Sequence, residues 1–151
     1  MPAKEPAACT FCRIARRELP ASIVDEDEVT IAFLDIVPLT PGHTLVTPKA
    51  HAAHLADLPD ETGGRIFEAS RRVAAGLRRS GLRCEGVNFH LADGEAAGQE
   101  IFHVHLHVFP RFEGDGFHLR PGPEYGRRPS REELDRIAAR IRQGIEGSDA
   151  R

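Results

Sequence analysis

The chain has 151 residues, 40% hydrophobic and 28% charged, with a formal net charge of −3. This describes one globular domain with a core of ordinary size. No apolar run approaches the ~20 residues needed to span a bilayer, "MPAKEPAACTFC" shows no apolar secretory segment, and the slightly acidic balance argues against a dedicated duplex nucleic-acid binder, so a cytoplasmic protein with no membrane partner is expected.

In chain order, "CTFCRIARRELP" reads as a short N-terminal helix ended by Pro20. Two strand candidates follow around an acidic turn, 22–25 and 29–34, and a Pro/Gly turn leads into a third at 43–47. "LPDETGGRIFEASRRVAAGLRRSGL" is the one long helix: Ile66, Ser70, Val73 and Leu77 share a stripe, Asp60 is placed to cap it and Gly81 to stop it. "GVNFHLA" reads as a strand, "DGEAAGQ" as a small-residue loop, and "HVHLHVFP" as a further strand. "RFEGDGFHLRPGPEYGRRP" looks irregular, and "SREELDRIAARIRQGI" is a C-terminal amphipathic helix with Ser130 and Glu133 matching a capping box. Helices and antiparallel strands joined by short connections make an α+β fold.

"HVHLHVFP" carries the strongest chemical signal. His103, His105 and His107 alternate with Val104, Leu106 and Val108. A period of two sends the aliphatics to one face, suited to a core, and the imidazoles to the other, roughly 6–7 Å apart. Such a row faces solvent, a metal or a substrate. Neutral imidazoles are metal ligands, and near neutral pH they are also nucleophiles and acid–base groups. Cys9 and Cys12 form a CxxC with the N-terminal tail before it, which favours zinc over thioredoxin-like redox chemistry, and Cys84 stands alone. CxxC with histidines elsewhere is the composition of a closed structural zinc site, with His51 and His54 rival ligands. His43 follows a turn, where a surface histidine is the simpler reading. His90 and His118 read the same way, and Asp35 ends "IAFLD" as a turn-former or a ligand for sugar hydroxyls.

These residues together resemble the histidine triad (HIT) family, whose hallmark is His-φ-His-φ-His-φ-φ with φ apolar; "HVHLHVF" satisfies it throughout. "CTFCRIARRELPA", "AFLDIVPLTPGHTLVTPKAH" and "DGEAAGQEIFHVHLHVFPR" extend the likeness over residues 9–112, most closely to the bacterial, zinc-carrying, Hint-like branch. The resemblance implies a five-stranded antiparallel sheet in a HIT domain at 1–112; residues 113–151 lie outside it and are expected to form a C-terminal extension packed on the same domain. It implies homodimers, purine nucleotides as ligands and nucleotidyl transfer or hydrolysis. By motif position His105 is the nucleophile, with His43 and His107 flanking the phosphate. Structural zinc falls to Cys9, Cys12, His51 and His103, and "PKAH" selects His51 over His54. Asp35 matches the ribose ligand, and Phe11, Ile14, Leu19, Phe33 and Ile36 match the slot for the base. The Gln99 side chain and amides around Gly98–Ile101 are expected at the phosphate. Two positions depart from many relatives: Ala92 stands for Asn and Glu100 for Ser or Thr, which bears on the leaving group. The activity implied is hydrolysis of purine nucleoside 5′-phosphoramidates through a nucleotidyl-histidine, with dinucleoside polyphosphate hydrolysis or phosphorolysis, or non-catalytic nucleotide binding, as alternatives.

Overall fold

The computed structural model describes residues 8–148. The expectation about a secretory segment falls largely on residues outside that range. The elements are α1 (Thr10–Ala15), β1 (Ile23–Glu26), β2 (Thr30–Leu34), β3 (Thr44–Pro48), α2 (Asp60–Arg79), β4 (Gly86–His90), β5 (Leu106–Arg111) and α3 (Arg131–Ser148). The chain divides into two compact units, Met1–Phe117 and His118–Arg151.

The first unit is built on one five-stranded antiparallel sheet in the order β1-β2-β3-β5-β4, which bears out the α+β expectation. Alternation sorts its residues into two clusters. Ala32, Val46, Leu106 and Val108 of the strands, with Val104, pack against Ile66, Ala69, Val73, Ala74 and Leu77 of α2. This is the stripe that the helical spacing identifies. On the opposite face Ile31, Phe33 and Leu45 meet Phe11 and Ile14 of α1. Arg72 ties α2 to the β1–β2 hairpin by donating to Asp25 (2.9 Å) and Asp27 (3.1 Å).

Several boundaries differ from the sequence reading. Asp60 is the first residue of α2 and Pro59 precedes it, so the carboxylate sits in the first turn, favoured by the helix dipole, instead of capping by hydrogen bond. Strand pairing of the histidine segment begins at Leu106, leaving His103 and His105 just ahead of the ladder. It also runs through Pro110 to Arg111, where a stop was expected. Pro110 is tolerated because the pairing of β5 with β3 ends at Val108, so the N–H that proline lacks has no strand acceptor there. Its carbonyl accepts from Thr40 Oγ1 at 2.7 Å.

In the second unit the Glu133 N–H donates to Ser130 Oγ (3.1 Å), as a cap should. The Glu133 carboxylate pairs with Arg127 at 2.9 Å in place of the reciprocal half of a capping box. Among the described residues no helix is long and apolar enough to cross a membrane.

Candidate active site and metal centre

The imidazoles gather where β5, the start of β3 and the end of β4 meet, and their partners settle which nitrogen carries each proton. The Leu39 N–H donates to His43 Nδ1 at 3.1 Å. His43 therefore holds its proton on Nε2 and donates it to His107 Nδ1, 2.9 Å away. His107 in turn carries its proton on Nε2. His105 donates from Nδ1 to the His103 carbonyl at 2.8 Å, which leaves Nε2 as a free lone pair. His103 donates from Nε2 to the Pro48 carbonyl at 2.8 Å, so its Nδ1 is the free nitrogen.

His105 is 7% exposed, its ring edge-on to Phe11 at 5.2 Å and beside His107 at 4.8 Å. Among the described side chains only Arg65 buries a polar nitrogen with no hydrogen-bond partner, so the unpartnered Nε2 of His105 reaches the surface. Burial pushes His107 down to about 4, helped by the neighbouring imidazoles of His105, His43 and His90. Burial also lowers His43, against the opposing pull of Asp35, whose Oδ2 lies 3.8 Å from Nδ1. Burial thus favours the neutral form of His43 and His107, the state in which an imidazole has a lone pair to give.

One turn positions His43. Gly42 adopts φ +97°, and a Cβ there would meet Leu77 and Leu82 side chains at 2.9 Å. The turn is open to glycine and close-packed at once.

The metal expectation resolves into a compact cluster. The ligand atoms of Cys9, Cys12, His51 and His103 lie within 4.8 Å of one another. Cys9 Sγ is 3.3 Å and Cys12 Sγ 3.4 Å from His103 Nδ1, and Cys12 Sγ is 3.4 Å from His51 Nδ1. Zinc bonds of about 2.3 Å to sulfur and about 2.1 Å to nitrogen put tetrahedral S and N ligands about 3.6 Å apart. Burial, then Cys9, pushes the Cys12 thiol up to about 12, so two thiolates here require a cation. The donor set fits zinc. His54 points elsewhere: its ring lies edge-on to Phe102 at 5.7 Å, with Nδ1 3.6 Å from Asp93.

The other expected residues divide. Phe11, Ile14 and Phe33 are buried in the α1 cluster, while Leu19 and Ile101 pack at its margin. Ile36 is 96% exposed, on the β2–β3 connection. Asp35 accepts from the Val37 N–H at 2.9 Å. The loop before the triad is tied together by the Gln99 side chain. Gln99 donates to the carbonyls of Ala53 (2.8 Å) and Ile101 (3.2 Å) and accepts from the Gly94 N–H (2.8 Å). The amides of Gly98 and Gln99 bond to Glu95 and Gly94. Gln99 thus shapes the loop, and of the amides at 98–101 those of Glu100 and Ile101 have no acceptor among the described residues. Ala92 is buried and Glu100 exposed. A cavity of about 440 Å³, lined by Arg71, Ala74, Ala75, Arg78, Arg79 and Phe89, lies on the α2–β4 side and contains none of the histidines.

Comparison with known proteins points the same way. The family model for the HIT domain matches residues 16–114. An HIT-like protein of Borreliella burgdorferi is 44% identical over 115 residues, 76% of this chain and 83% of its own. An adenosine 5′-monophosphoramidase of Saccharomyces cerevisiae is 37% identical over 110 residues, 73% of this chain and 66% of its own. A zinc-bound histidine triad family protein from Mycobacterium smegmatis shares the fold with a TM-score of 0.71 at 40% identity, covering 93% of this chain and 97% of that one. With motif, fold and relatives converging on the same segment, this chain belongs to the histidine triad (HIT) family.

Proposed function

We propose that this protein is a nucleotidyl hydrolase acting on purine nucleoside 5′-phosphoramidates through a nucleotidyl-histidine intermediate. One observation carries the reading: His105 Nδ1–H is fixed on the His103 carbonyl, and its Nε2 lone pair is free and accessible. A nucleophilic imidazole needs that tautomer. The activity named for the yeast relative supports the substrate class.

In the first step His105 Nε2 bonds to the α-phosphorus and the P–N bond to the leaving amine breaks. The amine takes a proton from solvent at the open side, and the imidazole retains its Nδ1 proton. In the second step water bonds to phosphorus, its proton goes to solvent, and His105 leaves as neutral imidazole. His107 Nε2–H is a hydrogen-bond donor to the non-bridging oxygens. It keeps its proton, because His43 has none to pass on without becoming anionic. The free amides of Glu100 and Ile101 are further donors for that charge. Asp35 is assigned to ribose hydroxyls, and Phe11, Phe33 and Leu45 to the floor beneath a purine.

Cys9, Cys12, His51 and His103 would hold zinc, which when bound supplies cross-linking of the N-terminal segment to the sheet. Homodimerisation is supported by β4, an outermost strand of the sheet whose Phe89 is 43% exposed beside Phe67, 58% exposed, with ring centroids 6.4 Å apart. Sedimentation of wild type and Phe89→Asp tests the dimer, which the variant should dissociate. For the chemistry, wild type and His105→Ala are mixed with a fluorogenic adenosine phosphoramidate and quenched in base. An adenylyl adduct on His105 of the wild type, absent with turnover in the variant, is expected; tight nucleotide binding with neither adduct nor turnover in the wild type would leave a binding protein instead.

A further inference from the structure

His90 ends β4 directly across from His107 in the strand register. Cross-strand partners point to the same side, so His90 shares the triad's face. The two rings are 5.8 Å apart between centroids, tilted by 45°. His90 is exposed. The sheet order gives its position meaning. The aromatic floor of Phe33, Leu45 and Phe11 lies on the β2–β3 side, the phosphate histidines occupy the next strand, and His90 occupies the one after that. A nucleotide with its base on the floor and its phosphorus at His105 therefore extends toward β4. His43 holds His107 from the other flank, and Asp35 lies beyond it, 3.8 Å from His43 Nδ1. The described histidines that face carboxylates at ion-pairing distance are His43 and His54, and His90 is not one of them.

We propose that His90 is a specificity-determining residue that receives the leaving group and extends the site's range from amines to an anionic one, a phosphate chain. The inference rests on the nucleotidyl-transfer reading above. When a phosphate chain leaves, His105 Nε2 bonds to the α-phosphorus and the P–O bond breaks with both electrons on the departing oxygen. That group needs no proton, but it needs donors for its charge. The His90 ring stands beside His107, which serves the non-bridging oxygens, and supplies a donor for the departing oxygen. A cationic amine meets donors there and no carboxylate.

The test compares wild type, His90→Leu and His90→Gln on two substrates that share the adenylyl group: a diadenosine polyphosphate and a fluorogenic adenosine phosphoramidate. The ratio of kcat/KM for polyphosphate over phosphoramidate should fall about ten-fold or more in His90→Leu, as expected for losing a hydrogen bond to a charged group. His90→Gln, which keeps an N–H donor, should recover part of that ratio. Single-turnover measurement should place the shift in adduct formation, before the leaving group has gone. An unchanged ratio in both variants, with the His105 adduct still forming, overturns the role of His90 alone. Absence of a His105 adduct in the wild type with either substrate overturns the transfer reading and this inference with it.

Discussion

The two faces of the sheet are made by the same strands and have opposite chemistry. The face against α2 is mainly aliphatic, from Ala32 and Val46 to Val108. The face toward α1 sets Phe11, Phe33 and Leu45 beside His103, His105 and His107, and every imidazole there has a partner chosen for it. The aliphatic face contributes stability by burial, which is non-directional. The histidine face depends on directed bonds, and it tolerates buried polar groups only because they are satisfied. His103 shows how closely tasks are combined on that face: its carbonyl fixes the His105 tautomer while its ring nitrogen joins the cysteine cluster.

The sharpest way to separate the faces is His105→Ala. Turnover should fall by at least about 10⁴-fold, as for removal of other catalytic nucleophiles, while the thermal midpoint stays near that of the wild type. A residual rate near wild type would detach the chemistry from the histidine face. Stripping the protein with a chelator, or replacing Cys12 with Ser, should lower stability by several kcal/mol, read as a shift in the denaturation midpoint with metal content measured alongside. Ile66→Ala probes the other face. It should cost about 2–5 kcal/mol in urea unfolding with kcat of the folded fraction retained. Gly42→Ala couples the two, since it strains a positive φ and pushes on Leu77 while displacing the neighbouring His43. We expect a loss of about 1–3 kcal/mol together with reduced kcat, where Ile66→Ala lowers stability alone.

The smallest effect is on pH dependence. Burial holds His107 near 4 in the folded protein, below the ordinary histidine value of 6.5. The unfolded chain therefore binds a proton that the folded chain refuses. The stability from this group is present above the unfolded value and is lost as pH falls from about 6.5 toward 4. Urea midpoints measured across that window should decline with acidification, and His107→Asn should make the decline shallower.

Periodicity alone exposed much of this arrangement. The alternation in "HVHLHVF" separates aliphatic from imidazole positions, and the Ile66–Ser70–Val73–Leu77 stripe identifies the buried side of α2; both hold because local repeat length decides which side chains share a face. The motif likeness added the pairing of Cys9 and Cys12 with His51 and His103, whose ligand atoms do converge. Residues whose work is done by main-chain atoms left no trace in the letters. The Leu39 amide and the Pro48 carbonyl are defined by where the chain passes, whatever side chain they carry. The Gln99 side-chain bond to the Ala53 carbonyl is of the same kind, its partner lying 46 residues away.

The order of residues determined by itself which positions are apolar, which are imidazole or thiol, and at what spacing, since these are properties of a linear repeat. Only tertiary folding decided which nitrogen of each ring is free, because tautomers follow from partners that different strands and loops bring together. The same folding decided that His90, unremarkable in the chain, stands beside His107: an antiparallel register is set by distant segments, and no local spacing encodes it.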